Sequence, residues 1–308
     1  MIKVMINYYR STVINPALKR QNKLSTGGWA LVERPSERDI ERMASLGIDR
    51  DILNDTLDPY EVPRLETDDD YTYFIARIPD SDDDLGGFTT PLLFAISDRH
   101  LITVCRERLP ALSSAKAIKQ VPTTQRGKLF LALISVIIEQ YERQVAVINR
   151  RMRAIALDVS NIRSCDIAVF TKNERMINDY LDALIPMNIA LEKMLGNRWL
   201  SSFDNDPDLV EDLSIDLEQL IVRCKAQLRT ITNLRDSYRA VMDTRLNETL
   251  RILTVITVVM TVPTVVAGIF GMNVALPGNV NSPLAFWLII LGSTVVSAVI
   301  GIYFLRRR

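Results

Sequence analysis

Histidine is almost missing from this chain. His100 is the only one among 308 residues, which removes His-clustered zinc sites and most His-dependent catalysis from consideration. Cysteine is scarce as well. Cys105, Cys165 and Cys224 are widely spaced singles, a pattern that fits reduced structural thiols in a cytoplasmic domain rather than a disulfide frame or a CxxC metal site. Neither sign of charge dominates, with 37 basic and 37 acidic residues, so the basic excess of a general nucleic-acid binder is not there. No GxxxxGK[ST] loop offers to couple ATP, and no nucleophile motif is visible, so no enzymatic activity and no organic cofactor are expected. No apolar segment with a cleavage site follows Met1, and no secretory signal is expected. The most informative absence is local. Ile252–Leu305 contains no Lys, Arg, Asp, Glu or His, in a protein whose charged residues are 24% of the total.

Within that stretch, Ile252–Phe270 and Leu284–Leu305 are each long enough to cross a bilayer core as a helix, which takes roughly 20 residues. The connector Gly271–Pro283, GMNVALPGNVNSP, has the Gly, Pro and Asn of a turn. A buried hairpin in a soluble core rarely runs so far without a charge, and a membrane hairpin is the expected reading. Arg306, Arg307 and Arg308 follow the second span; Arg239, Arg245 and Arg251 precede the first; the connector has neither Lys nor Arg. Positive charge stays inside, so a multi-pass protein of the cell (inner) membrane with both termini cytoplasmic is expected.

The rest divides by pattern into an α/β domain over 1–125, a helical domain with a long stalk over 126–251, and the hairpin over 252–308. In the first, KVMINYY, GWALVER, YTYFIARI, TPLLFAIS and HLITVCR are β-branched and aromatic runs bounded by turn residues and predict strands. Ser36 with Asp39 three residues on predicts a capped helix start, and a second short helix is expected over Asp49–Leu57. From Arg126 the periodicity is helical: one helix to about Asp158, a second over Ser164–Asn197 bent at Pro186, and a third from Pro207 with no stop signal until Gly271. Leu213, Leu217, Leu220, Cys224, Leu228, Ile231, Tyr238 and Val241 keep the spacing of a coiled seam along the third. Continuous to Phe270, that helix measures about 95 Å. It joins the cytoplasmic region directly to the first span.

Thr254, Thr257, Thr261, Thr264, Gly268 and Gly271 recur every three or four residues and share one face of the first span. Two readings stay open. The hydroxyls line a polar path, or they bond to their own backbone while packing against a neighbouring helix. Two spans cannot enclose water, so a pore requires an oligomer. Ser293, Ser297 and Gly301 form a small-residue spacing that permits close helix approach in the second span.

GMN at Gly271–Asn273, ending the first of two C-terminal spans after a long uninterrupted helix and an α/β domain, resembles the CorA divalent metal ion transporters. Ile52–Ile75 is similar to that family's N-domain segment and Arg235–Thr257 to its stalk-to-membrane passage. The resemblance implies a homopentamer in membrane lipid whose first spans line a pore for divalent cations, with Mg²⁺ both transported and regulatory. It places Gly271, Met272 and Asn273 at the selectivity filter. Asn273 amides would hold a magnesium ion through its water shell, since Mg²⁺ dehydrates reluctantly. It turns Asn247, Leu250, Leu253, Thr257, Thr261, Thr264 and Gly268 toward the conduit, with Leu250 a candidate hydrophobic constriction. It assigns regulatory metal binding to Asp70 and Asp236, with Asp69 and Asp212 as weaker candidates.

Membrane potential suffices to drive such flux, at about 2.3 kcal/mol per unit charge per 100 mV and double for a divalent ion. Two departures bear on ion preference. Many relatives carry an acid after a Met-Pro pair beyond GMN, whereas VALPGNVNSP has none, and Pro263 in TVPT stands one place later than the pattern. Co²⁺, Ni²⁺ or Zn²⁺ is therefore the alternative cargo. A membrane-anchored sensor or scaffold is the alternative of another class, and needs neither the threonine face nor GMN.

Overall fold

The computed structural model describes residues 5–15, 17–80, 88–110, 112, 116–156, 164–195, 207–272 and 283–306. The chain gathers into two compact units, Met1–Arg235 and Asp236–Arg308.

Seven strands form one sheet in the first unit: β1 (Met5–Arg10), β2 (Lys19–Gln21), β3 (Gly28–Glu33), β4 (Arg64–Thr67), β5 (Thr72–Pro79), β6 (Thr89–Ile96) and β7 (His100–Cys105). Their order is β2-β1-β3-β7-β6-β5-β4. β4 to β7 are a simple antiparallel meander, and β7 meets β3 as the sheet's parallel pair, Trp29 opposite Leu101 and Val32 opposite Val104. Every residue of β3 and of β6 is buried, as expected of central strands covered on both faces, and these are the runs with the least polar alternation. The five runs read as strands are β1, β3, β5, β6 and β7. The structure adds two that the reading missed, β2 and β4, both short, polar and largely exposed.

Two helices cover one face of the sheet: α1 (Glu37–Ala44) and α2 (Arg50–Asp55). Ser36 begins α1 as expected, its amide donating to Asp39 Oδ2 at 2.8 Å, and Asp49 caps α2 by accepting from the Asp51 amide at 2.8 Å. Ile40, Met43, Ile52 and Leu53 pack on Ala30, Val32, Tyr73, Ile75 and Leu93. After a short helix α3 (Lys116–Gln120) comes α4 (Arg126–Ala156), whose Phe130 closes an edge-to-face cluster with Phe74 and Phe94 at 5.2 and 5.1 Å. The apolar run Leu129–Ile138 that is too short to cross a bilayer is therefore core. α5 (Ser164–Leu195) carries Pro186 without breaking, and its Tyr180 meets Tyr141 of α4 at 5.0 Å.

α6 (Pro207–Phe270) is one helix of 64 residues, with its first part in the first unit and the remainder in the second. Its seam is buried at Leu213, Leu217, Leu220, Cys224 and Ile231, but between these last two the buried position is Gln227, with Leu228 only half-buried. Gln227 continues the seven-residue spacing of Leu213 and Leu220, so the seam keeps its register through a polar residue and leaves the apolar neighbour Leu228 to one side. Cys105 and Cys224 are free buried thiols, each pushed by burial up to about 12, which suits packing and not reactivity. α7 (Pro283–Arg306) is the second apolar helix of the second unit. Both α6 and α7 are long and apolar enough to cross a membrane.

Candidate functional site

The second unit is a helical hairpin, and its packing sorts the residues of α6 by side. Val255 is buried, and Val258, Val259, Val262, Pro263 and Val266 are half-buried. On α7 the covered positions are Ile289, Ser293, Ser297, Ile300 and Gly301. Gly301 marks a close approach: a Cβ placed there would lie 3.1 Å from Val259 Cγ2. The small residues therefore sit in the seam between the two helices, where Leu or Ile would hold them apart. One turn further along α7, Arg251 Nη2 donates to the Phe304 carbonyl at 2.7 Å.

Turning 100° per residue from the covered side, Thr254, Thr257, Thr261, Thr264, Gly268 and Gly271 cluster roughly 200° away. All are exposed, and so are Leu250 and Leu253, which fall on the same side, and Asn247 near its border. Hence the threonine side is the one that the hairpin itself leaves uncovered. Each threonine hydroxyl donates to the carbonyl one turn back: Thr254 to Leu250 at 2.8 Å, Thr257 to Leu253 at 2.9 Å, Thr261 to Thr257 at 2.8 Å and Thr264 to Met260 at 2.8 Å. Of the bland reading, the backbone bonds are present, whereas packing of this face on α7 is not. With the proton directed along the helix, the oxygen's lone pairs remain for a donor from outside. Such a surface presents acceptors and no free hydroxyl donors, the polarity that cations and the hydrogens of their bound waters prefer.

α6 ends at Phe270, and the Gly271 amide bonds to the Ala267 carbonyl at 2.9 Å as the chain turns. Gly271 and Met272 are exposed. Asn273 and the connector beyond it lie outside the described residues.

In the first unit the run Asp68–Asp70 forms the turn into β5, and its members differ in role. Asp68 Oδ1 accepts from the Tyr71 and Asp70 amides at 2.7 and 2.8 Å, and Oδ2 accepts from the Tyr73 hydroxyl at 2.9 Å. Desolvation works against the charged form, but these bonds outweigh it and hold the carboxyl below its ordinary value. Asp69 and Asp70 are exposed at the tip of the same turn, and Asp212 and Asp236 are exposed positions of α6. Among the described residues no three His, Cys, Asp or Glu side chains are gathered as a metal site within one chain. His100 lies in β7, and burial lowers its tendency to charge.

One polar residue was not foreseen. Gln227 is buried, and its amide nitrogen has no hydrogen-bond partner. The signal in the sequence is positional: seven residues on from Leu213 is Leu220, and seven further is Gln227.

A protein-family model described as CorA-like Mg²⁺ transporter protein matches residues 26–307. The cobalt/magnesium transport protein CorA of Methanocaldococcus jannaschii is 26% identical over 289 residues, covering 91% of this chain and 90% of that protein. The fold is that of the complete CorA magnesium transporter structure from Methanocaldococcus jannaschii, with a TM-score of 0.81 at 21% identity over 100% of this chain and 99% of that one. It is also that of the full-length CmaX protein, with a TM-score of 0.74 at 16% identity over 98% of this chain and 97% of that one.

Proposed function

This chain belongs to the family of CorA-like Mg²⁺ transporters, and on that premise we propose that it assembles as a homopentameric channel passing divalent cations, Mg²⁺ first among them, into the cytoplasm down the membrane potential. The observation that carries the proposal is the disposition of the threonines. A helix that merely anchored a domain would turn its apolar side to lipid and would have no use for an acceptor-lined side opposite its own hairpin partner. Copies arranged around an axis bring those sides together, with Asn247, Leu250, Leu253, Thr257, Thr261, Thr264 and Gly268 facing inward and Gly271, Met272 and Asn273 at the outer mouth. A wet path lined by hydroxyl acceptors passes a hydrated ion without stripping it, which the reluctance of Mg²⁺ to dehydrate requires. Leu250 forms the dry constriction.

Cytoplasmic Mg²⁺ closes the channel in this reading, held between subunits by Asp70 with Asp69 of one and Asp236 of the next, and Asp212 in a second site. Asp68 supports the assignment because it is committed to its own turn and fixes the two exposed carboxylates beside it. Bound metal cancels the repulsion between subunits, and its loss releases them.

The test is flux into proteoliposomes under an imposed potential, with Mg²⁺, Co²⁺, Ni²⁺ and Zn²⁺ compared side by side. Asn273→Ala abolishes Mg²⁺ uptake with assembly intact; normal uptake by that variant ends the filter assignment. Asp236→Ala weakens protection of the cytoplasmic region from protease by Mg²⁺, and unchanged protection ends the regulatory one. A second cargo is favoured by one observation, the lack of any acid in Val274–Pro283. Without carboxylates there, cation capture at the outer mouth loses electrostatic help, and an outcome in which Co²⁺, Ni²⁺ or Zn²⁺ outruns Mg²⁺ would select it.

A further inference from the structure

Between α4 and α6, within the first unit, runs a groove of ≈490 Å³. That is the size of a small-molecule site, about 300–1,000 Å³. One wall is a stripe of α4 that includes Val145, Asn149 and Arg153; the other is a stripe of α6 that includes Leu220, Arg223 and Gln227.

The chemistry of the lining is one-sided. Gln227 is 6% exposed, and its Nε2 has no partner. A buried amide donor left unpaired is costly, so an acceptor that reaches it relieves that cost. Arg153 stands exposed at the groove with no ion pair among the described residues. Arg223 uses Nη1 on Glu142 Oε1 at 2.9 Å and keeps its other N–H groups. Glu142 is the single acid of the lining, and the two arginines exceed it. The Thr230 hydroxyl is already spent on the Ala226 carbonyl at 3.0 Å. Guanidinium and amide donors thus line the same groove as Val145 and Leu220, and no aromatic ring lines it to stack a base.

We propose that the groove between α4 and α6 binds a small organic oxyanion, a carboxylate or phosphate head on a short aliphatic body. The head accepts from Arg153, Arg223 and Gln227 Nε2. The body lies along Val145 and Leu220. Guanidinium forks suit either head, since both offer paired oxygens.

The experiment uses the full-length protein in detergent, with divalent ions chelated. Sodium butyl phosphate, sodium butyrate, inorganic phosphate and butylammonium chloride are titrated in turn by calorimetry. Butyl phosphate or butyrate binds, and whichever is tighter names the head; inorganic phosphate binds more weakly for want of the apolar contact, and butylammonium does not bind. Arg153→Gln and Gln227→Met each weaken the better ligand by roughly tenfold or more. Arg153→Lys recovers part of the loss. Gln227→Met keeps the side chain's size and removes the unpaired amide, so its melting temperature holds or rises, which separates lost binding from lost fold. The proposal is overturned if neither anion binds at about 10 mM, if both variants bind as the parent does, or if a photocrosslinker in place of Asn149 captures a second copy of the chain, which would make the groove a subunit contact.

Discussion

Arg251 and Phe304 stand 53 residues apart in the chain and are joined by one hydrogen bond, from the guanidinium Nη2 to the main-chain carbonyl at 2.7 Å. The carbonyl belongs to the last turn of α7, where no amide of the same helix can reach it. A cation there also meets the negative end of the α7 dipole. Arg251, one of the arginines that flank the first apolar span, thus ties the two ends of the hairpin together.

Arg251→Gln should cost about 1.5 kcal/mol, the lower end for a hydrogen bond made by a charged group. The expected readings are a lower melting temperature and faster amide exchange over 302–306, with Arg251→Lys intermediate. Unchanged exchange in that turn would show that the bond does no holding.

Gly301→Ala should separate the two helices. The new methyl would sit 3.1 Å from Val259 Cγ2, and overpacking of this kind costs about 1–3 kcal/mol. Val259→Ala in the same chain makes room, so the double variant should be more stable than the sum of the single losses predicts. Strict additivity would mean that the two residues do not meet.

Thr261→Val keeps the shape of the side chain and removes its oxygen. Flux of Mg²⁺ in proteoliposomes should fall roughly tenfold, about 1.4 kcal/mol in barrier, while Thr261→Ser keeps most of it. Thr294 of α7 supplies the control, because its hydroxyl makes the same bond one turn back, to Ile290 at 2.8 Å, without lying on the proposed conduit. Equal losses for Thr261→Val and Thr294→Val would mean that the hydroxyls matter to helix stability and not to the ion.

The long helices were legible because their signals are periodic and sum over many turns. α6 was read to its last residue, since nothing between Pro207 and Pro263 stops a helix and Gly271 does. β2 and β4 were not. Lys19–Gln21 and Arg64–Thr67 are strands only because β1 and β5 offer them edges, and their own residues carry no alternation to detect. The parallel β3–β7 pair was equally hidden, since it depends on where the meander returns. At the hairpin the threonine spacing could be read directly. That α7 covers the opposite side could not, because it is a property of two helices together. Gln227 escaped for a different reason: the seven-residue spacing from Leu213 and Leu220 leads to it, but Leu228 beside it is apolar and draws the assignment one residue on.

The last prediction concerns pH. Asp68 is charged in the folded chain with three donors on it, from Tyr71, Asp70 and Tyr73, and its carboxyl is held below its ordinary value. In the unfolded chain those donors are gone, and the group titrates near the ordinary carboxylate value, about 3.9. The unfolded state therefore takes up the proton first as pH falls. Asp68 contributes its full stabilisation above that value, and the contribution is lost as pH drops through the lower, folded one. Asp68→Asn keeps the shape of the turn but cannot titrate. Its melting temperature should lie below that of the parent at neutral pH, and the gap should close below about pH 4. Two curves that stay parallel as the pH falls well below that value would mean the three bonds do not depend on the charge. Tyr73 sharpens the test, because burial raises its own pKa and keeps its hydroxyl protonated as a donor. Tyr73→Phe should shrink the acid-sensitive gap without removing it, since the two amides remain.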